Sequence, residues 1–162
     1  MDARSVGAVT AALLCTSCCS IATFHTDTGF LAVVENLRFE ARMSQSHSWW
    51  NPETAANDPA LLEHEQTHFA FSELGARAAN AHLGEIRMRI RSVARTEREA
   101  IGLARARLQY EVDHVQSMVA ARNAEFDRDT LNGRRTDRSH EWFVRVQSEL
   151  GQSALVASAP GF

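Results

Sequence analysis

The stretch Leu61-Leu62-Glu63-His64-Glu65-Gln66-Thr67-His68-Phe69 contains His-Glu-x-x-His, and no other part of the chain constrains the fold as tightly. Residues four apart on an α-helix share one face, one turn apart. His64 and His68 can therefore turn imidazole nitrogens toward a single Zn²⁺. Glu65, rotated by about 100°, can reach a water on that metal without competing for it. Two ligands and a general base from one helical turn is the zinc-hydrolase arrangement. The context favours a helix: Asp58-Pro59 reads as N-cap followed by proline at the first helical position. Leu61, Leu62, Phe69 and Leu74 then recur at helical spacing. The alternative is a surface helix carrying two exposed histidines. Glu73 does not serve as third ligand. It lies nine positions after His64, on the far side of the helix, and pairs more naturally with Arg77.

A chain of 162 residues fits one domain with a sizeable core. With a net charge of −3 and 44% hydrophobic residues, nothing points to a nucleic-acid partner or to disorder. All 17 basic residues are arginine, which excludes Schiff-base and P-loop chemistry on this chain.

Two readings of the N-terminus stay open. The apolar run from Val6 to Cys19 is too short to span a membrane as a helix. It is either a signal peptide, with Arg4 as a thin basic region, or a folded strand, given its content of strand-compatible residues. Cys15, Cys18 and Cys19 have no paired Cys/His cluster elsewhere, so they read as buried small residues or as a disulfide in an exported domain rather than as a zinc site.

After a turn at Thr26-Asp27-Thr28-Gly29, residues Phe30 to Glu35 and Leu37 to Met43 read as two strands forming a hairpin about Glu35-Asn36. Leu37, Phe39, Ala41 and Met43 alternate with charged residues, which predicts one buried and one wet face. Such a strand is either structural or an edge that pairs with extended substrate. Trp49 and Trp50 read as core anchors of the following loop, or as a cleft wall.

The metal helix is predicted over Pro59 to about His82, ended by Gly84. An apolar stripe from Ile86 to Val119 then predicts a long second helix to about Asn123, broken near Gly102. Glu97 interrupts that stripe. It is either a partner of its arginine neighbours or, counted across a helical hairpin about Gly84, level with His68 and a candidate third ligand. Asp127 and Asp129, ahead of the Asn132-Gly133 turn signal, offer a loop oxygen instead. A last helix is predicted from about Ser139 to Leu150, with residues 151–162 as a flexible tail.

These pieces resemble a bacterial family of exported zinc-dependent proteases, long known only as a domain of unknown function. Ser48-Trp49 resembles that family's Ser-Trp ahead of the metal helix. Leu62 to Phe69, with Glu73 and Ala76-Arg77, resembles its His-Glu-Gln-x-His-Phe segment and the Glu and Ala-Arg beyond it. Phe126-Asp127, Thr130, Gly133 and Trp142 resemble its C-terminal Tyr-Asp-x-x-Thr-x-His-Gly block and later Trp. The likeness covers about residues 5 to 150. It implies an α+β, zincin-like domain over residues 1–150, with a small antiparallel sheet packed on the His-Glu-x-x-His helix and a long second helix. It further implies an exported zinc metalloprotease acting on peptide or protein substrates, with Asp127 rather than Glu97 beside His64 and His68, and Glu65 as general base. A loop aspartate as third ligand would make the site similar to the aspzincins. Two departures stand out. Asn132 replaces the family's His, and Phe126 its Tyr, removing a phenolic hydroxyl that could stabilise an oxyanion. A domain that keeps zinc or a protein partner but has lost turnover is the alternative.

Overall fold

The computed structural model describes residues 8–9, 12–17, 20–55 and 58–158. It is an α+β structure. Strands β1 (Ala8–Val9), β2 (Ala12–Ser17), β3 (Ser20–Thr26), β4 (Gly29–Glu35), β5 (Arg38–Met43) and β6 (Trp49–Trp50) come first. A short helix α1 (Pro52–Ala55) leads to α2 (Pro59–Ala81), α3 (Leu83–Ile90), strand β7 (Ser92–Ala94), α4 (Glu97–Thr130) and α5 (Thr136–Ser158). Among the described residues, no helix is long and apolar enough to cross a membrane.

β3 and β4 form an antiparallel hairpin around Asp27-Thr28, and β7 pairs antiparallel with the other edge of β4, giving the order β3-β4-β7. β2 pairs antiparallel with β5, and β1 with β6. Thus β2 realises the strand reading over Ala12–Ser17; Val6, Cys18 and Cys19 lie outside the described residues. The expected hairpin between β4 and β5 does not form. Asn36 turns the chain with φ of 53°, and Leu37 is buried as the step between the two ladders. The side-chain amide of Asn80, on α2, then binds the Phe39 backbone twice: Phe39 N–H donates to Oδ1 at 2.9 Å, and Nδ2 donates to the Phe39 carbonyl at 2.9 Å. Asn80 thereby occupies backbone groups of β5 that a second strand would need. Trp49 is 40% exposed and so does not anchor the core.

α2 begins as the sequence predicts, with the Asp58 carboxylate accepting from Leu61 N–H at 3.0 Å and Pro59 in the first turn. It ends at His82, and Gly84 lies inside α3 rather than terminating α2. The long apolar stripe is divided at Arg91 to Thr96, not at Gly102. Ser92–Ala94 leave the helical path to complete the sheet, and a capping box restarts the helix. Thr96 Oγ1 accepts from Glu99 N–H, and the Glu99 carboxylate accepts from Thr96 N–H. α4 then runs unbroken for 34 residues, about 51 Å. α5 continues through Ser158, past Leu150 where the sequence pattern alone would end it. Arg77 reaches across to the Leu150 carbonyl and the Ser153 hydroxyl while pairing with Glu73 at 2.7 Å.

Two apolar clusters hold these parts together. One lies between the strands and the helices, around Leu37, Phe39, Ala76, Ile90, Ala104 and Val115. The other joins α2, α4 and α5 through Ala70, Phe71, Phe126, Trp142 and Val146. Helices α2 and α4 approach closely at Gly75, where a Cβ would stand 2.5 Å from Val119 Cγ2. That approach determines what can meet between the two helices further along.

Candidate metal centre

What meets there is His64 and His68 of α2 and Asp127 of α4. The two Nε2 atoms are 3.1 Å apart. Asp127 Oδ1 lies 3.1 Å from His68 Nε2 and 3.5 Å from His64 Nε2. Two imidazoles and one carboxyl group, each with one donor atom turned inward, form a possible cation site. Zinc bonds of about 2.0–2.1 Å in tetrahedral geometry separate donor atoms by about 3.3 Å. The triangle has these dimensions within a few tenths of an ångström, so the residues fit zinc.

The surroundings favour that use. His64 is buried, and its pKa is lowered to about 4, chiefly by desolvation and then by His68, against the opposing pull of Asp127. The ring is therefore neutral at pH 7, as a ligand must be. Asp127 sits in the last turn of α4, where the unpaired carbonyls of a helix terminus add negative potential; a cation is the natural complement. His64 Nδ1 is buried without a hydrogen-bond partner.

Local sequence explains how α4 delivers Asp127. Phe126 is fully buried, stacked on His64 and edge-on to His68, which turns the next residue outward to the histidines. Thr130 is also fully buried. Its hydroxyl donates to the Phe126 carbonyl at 2.8 Å and accepts from Gly133 N–H at 3.3 Å. Leu131 and Asn132 adopt left-handed φ of 51° and 53°, and Asn132 N–H returns to the Asp127 carbonyl at 2.8 Å. Gly133, at φ 81°, then lies against the His64 ring, where a Cβ would come within 3.4 Å of Cγ and Nδ1. The Phe-Asp-x-x-Thr-x-x-Gly spacing is thus one device: a helix end that carries a carboxylate to His68 and a backbone wall to His64. Asp127 belongs to the helix, not to the loop expected from sequence.

The other candidates are placed elsewhere. Asp129 accepts from Trp142 Nε1 and Arg138 Nη2, each at 2.8 Å. Those two bonds, Trp142 first, hold its carboxyl below the usual range, and it is committed to structure. Glu97 is the first residue of α4 and accepts from the Thr23 hydroxyl at 2.6 Å. Thirty residues of continuous helix, about 45 Å, separate it from Asp127. The hairpin count fails because α3 and β7 intervene.

Glu65 is buried, and its Oε2 has no hydrogen-bond partner. Its side chain lines a cleft of about 800 Å³ between α2, α5 and the end of β5, walled by Met43, Leu62, Phe69, Phe143 and Leu150. Sequence reasoning missed Asn123. Its Oδ1 is 2.5 Å from His68 Nδ1. It sits four residues before Asp127, a spacing that acquires meaning only once Asp127 is known to be helical. Compared with known proteins, the chain matches no family model, no curated protein and no solved structure.

Proposed function

We propose that the protein is a zinc-dependent metallopeptidase of zincin-like architecture, with His64, His68 and Asp127 as ligands and Glu65 as general base. The observation that carries this reading is the triangle of three donor atoms built on a His-Glu-x-x-His helix. Bound zinc would supply Lewis acidity toward a peptide carbonyl and lower the pKa of a water. The chain's own residues do the rest. Glu65 holds a carboxylate whose Oε2 is not occupied by any hydrogen bond; it takes a proton from the attacking water and returns it to the leaving amine. The cleft beside it, apolar on several sides, takes an apolar part of the substrate. The sequence likeness to exported bacterial zinc proteases supports the same assignment.

Glu65→Gln tests it. The variant should retain about one zinc per chain yet lose hydrolysis of casein or a peptide library by about 10²-fold or more. Equal rates in wild type and variant would reject the role of Glu65. Asn132, standing where the resembled family has His, favours a second reading: a domain that binds zinc or a protein without turnover. Stoichiometric zinc with no peptidase activity in the wild type would select it.

A further inference from the structure

We propose that Asn123 is a positioning residue: it holds His68 in the tautomer whose lone pair faces the metal centre. This rests on the metal reading above for its purpose, though not for its geometry. His68 Nδ1 and Asn123 Oδ1 are 2.5 Å apart. An amide's oxygen and nitrogen are told apart by their partners, and here the partner decides. Asn123 Nδ2 lies 3.0 Å from the Val119 carbonyl, which can only accept. Nδ2 therefore donates to Val119, and the oxygen is the atom that faces His68. Since Oδ1 can only accept, His68 Nδ1 carries the proton.

A neutral imidazole protonated at Nδ1 has its lone pair on Nε2. Nε2 is the atom that approaches His64 Nε2 and Asp127 Oδ1, each at 3.1 Å. Neutral histidine left to itself favours the opposite tautomer, with the proton on Nε2 and the lone pair turned away from this centre. Asn123 reverses that preference without adding charge, where a carboxylate in its place would make the site more negative. Val119, Asn123 and Asp127 are spaced by four along α4 and so form one column. The same helix face that supplies the acidic ligand also orients a histidine of the facing helix. His64 is held differently, by the Phe126 stack and the Gly133 wall, with its Nδ1 unpartnered. The two histidines therefore differ in what fixes them, and Asn123 bonds directly to His68 alone.

The test uses the full chain labelled with ¹⁵N-histidine. Tautomers are read by NMR in the zinc-free protein at mildly alkaline pH, and zinc affinity by competition with a chelator. Wild type and Asn123→Asp should show His68 protonated at Nδ1. Asn123→Leu should shift His68 toward the Nε2-protonated form and weaken zinc binding by about 10–100-fold. Asn123→Asp keeps an acceptor in the same place and should bind zinc at least as tightly as wild type; loss in the similarly sized leucine alone is what a merely space-filling role would not explain. Asn123→Ala supplies the same reading if the leucine variant folds poorly. An unchanged His68 tautomer, or wild-type zinc affinity in both truncations, would overturn the proposal. A wild-type protein that takes up no zinc would instead overturn the metal reading, while the zinc-free spectrum still decides what Asn123 does to His68.

Discussion

The rings of His64 and Phe126 lie nearly face to face, with centroids 4.5 Å apart and planes 26° from parallel. Phe126 also meets Phe71 and Trp142 edge-on, at 5.6 Å in each case, so the ring of a proposed metal ligand is continuous with the apolar cluster joining three helices. Truncating Phe126 should act on stability and on the site together. Phe126→Ala is expected to cost about 3–5 kcal/mol, measured by denaturant unfolding. Phe126→Leu should cost less but release His64 from its stack and weaken zinc binding. Wild-type zinc affinity in a folded Phe126→Leu protein would show that the stack does not orient the ligand.

The choice of third ligand gives the sharpest contrast between variants. His64→Ala, His68→Ala and Asp127→Ala should each leave the purified protein without stoichiometric zinc, since each deletes one corner of the donor triangle. Glu97→Ala should keep wild-type occupancy, because its carboxylate serves Thr23 at the other end of α4. Metal analysis of the four proteins decides. Loss of zinc from Glu97→Ala alone would mean the donor set is wrongly assigned.

Gly133 combines a left-handed backbone with contact to His64. Alanine there meets a backbone cost at positive φ of about 1–2 kcal/mol, while its methyl would stand in ordinary van der Waals contact with the imidazole at 3.4 Å. Gly133→Ala is therefore expected to lower thermal stability, and to weaken zinc binding as the turn shifts to relieve the strain and carries its wall away from His64. A variant that loses stability but binds zinc normally would show that His64 keeps its position without that wall.

Away from the site, the Glu111 carboxylate is buried and accepts twice from the half-exposed Arg89 guanidinium, at 2.7 and 2.9 Å. That hydrogen bonding, opposed by desolvation, holds the Glu111 carboxyl below its usual range. A depressed folded-state pKa stabilises the protein above the unfolded-state value of about 4.3, and the contribution is lost as pH falls through the folded value. Glu111→Gln should thus lower Tm by about 2–4 °C at pH 7, after allowance for solvent screening at Arg89. The gap between variant and wild type should narrow as the pH drops below about 4. A gap independent of pH would assign the effect to packing alone.

How far each of these features is legible in sequence depends on the range of the forces involved. The helix α2 is readable because its cap, its apolar spacing and its His-Glu-x-x-His motif are all local to residues 58–74. The Thr-x-x-Glu box that starts α4 is equally local, at Thr96 and Glu99, but the apolar stripe runs through it with almost unbroken period. Nothing local announces that Ser92–Ala94 leave the helix to pair with β4. The separation of β4 from β5 depends on Asn80, some forty residues away and unremarkable as a helical asparagine. Asp127 stands out in sequence with the wrong backbone around it, because Asn132-Gly133 marks the turn correctly but says little about how far the preceding helix extends. Asn123 is invisible for a related reason: its partner His68 lies on another helix, and only their spacing brings the two within a hydrogen bond.

That spacing is governed in part by Gly75. It lies seven residues beyond His68, about 10 Å along α2, and meets Val119 with no room for a methyl group. The contact works as a fulcrum. A side chain there either forces the branched Val119 out of its rotamer or pries the helices apart. A small opening at the pivot is carried along two stiff rods to His68 and Asp127, whose donor atoms stand only 3.1 Å apart. On the proposed metal reading, affinity is therefore hostage to a glycine that touches none of the three donors, and a search for variants that tune the centre without altering its chemistry would begin there.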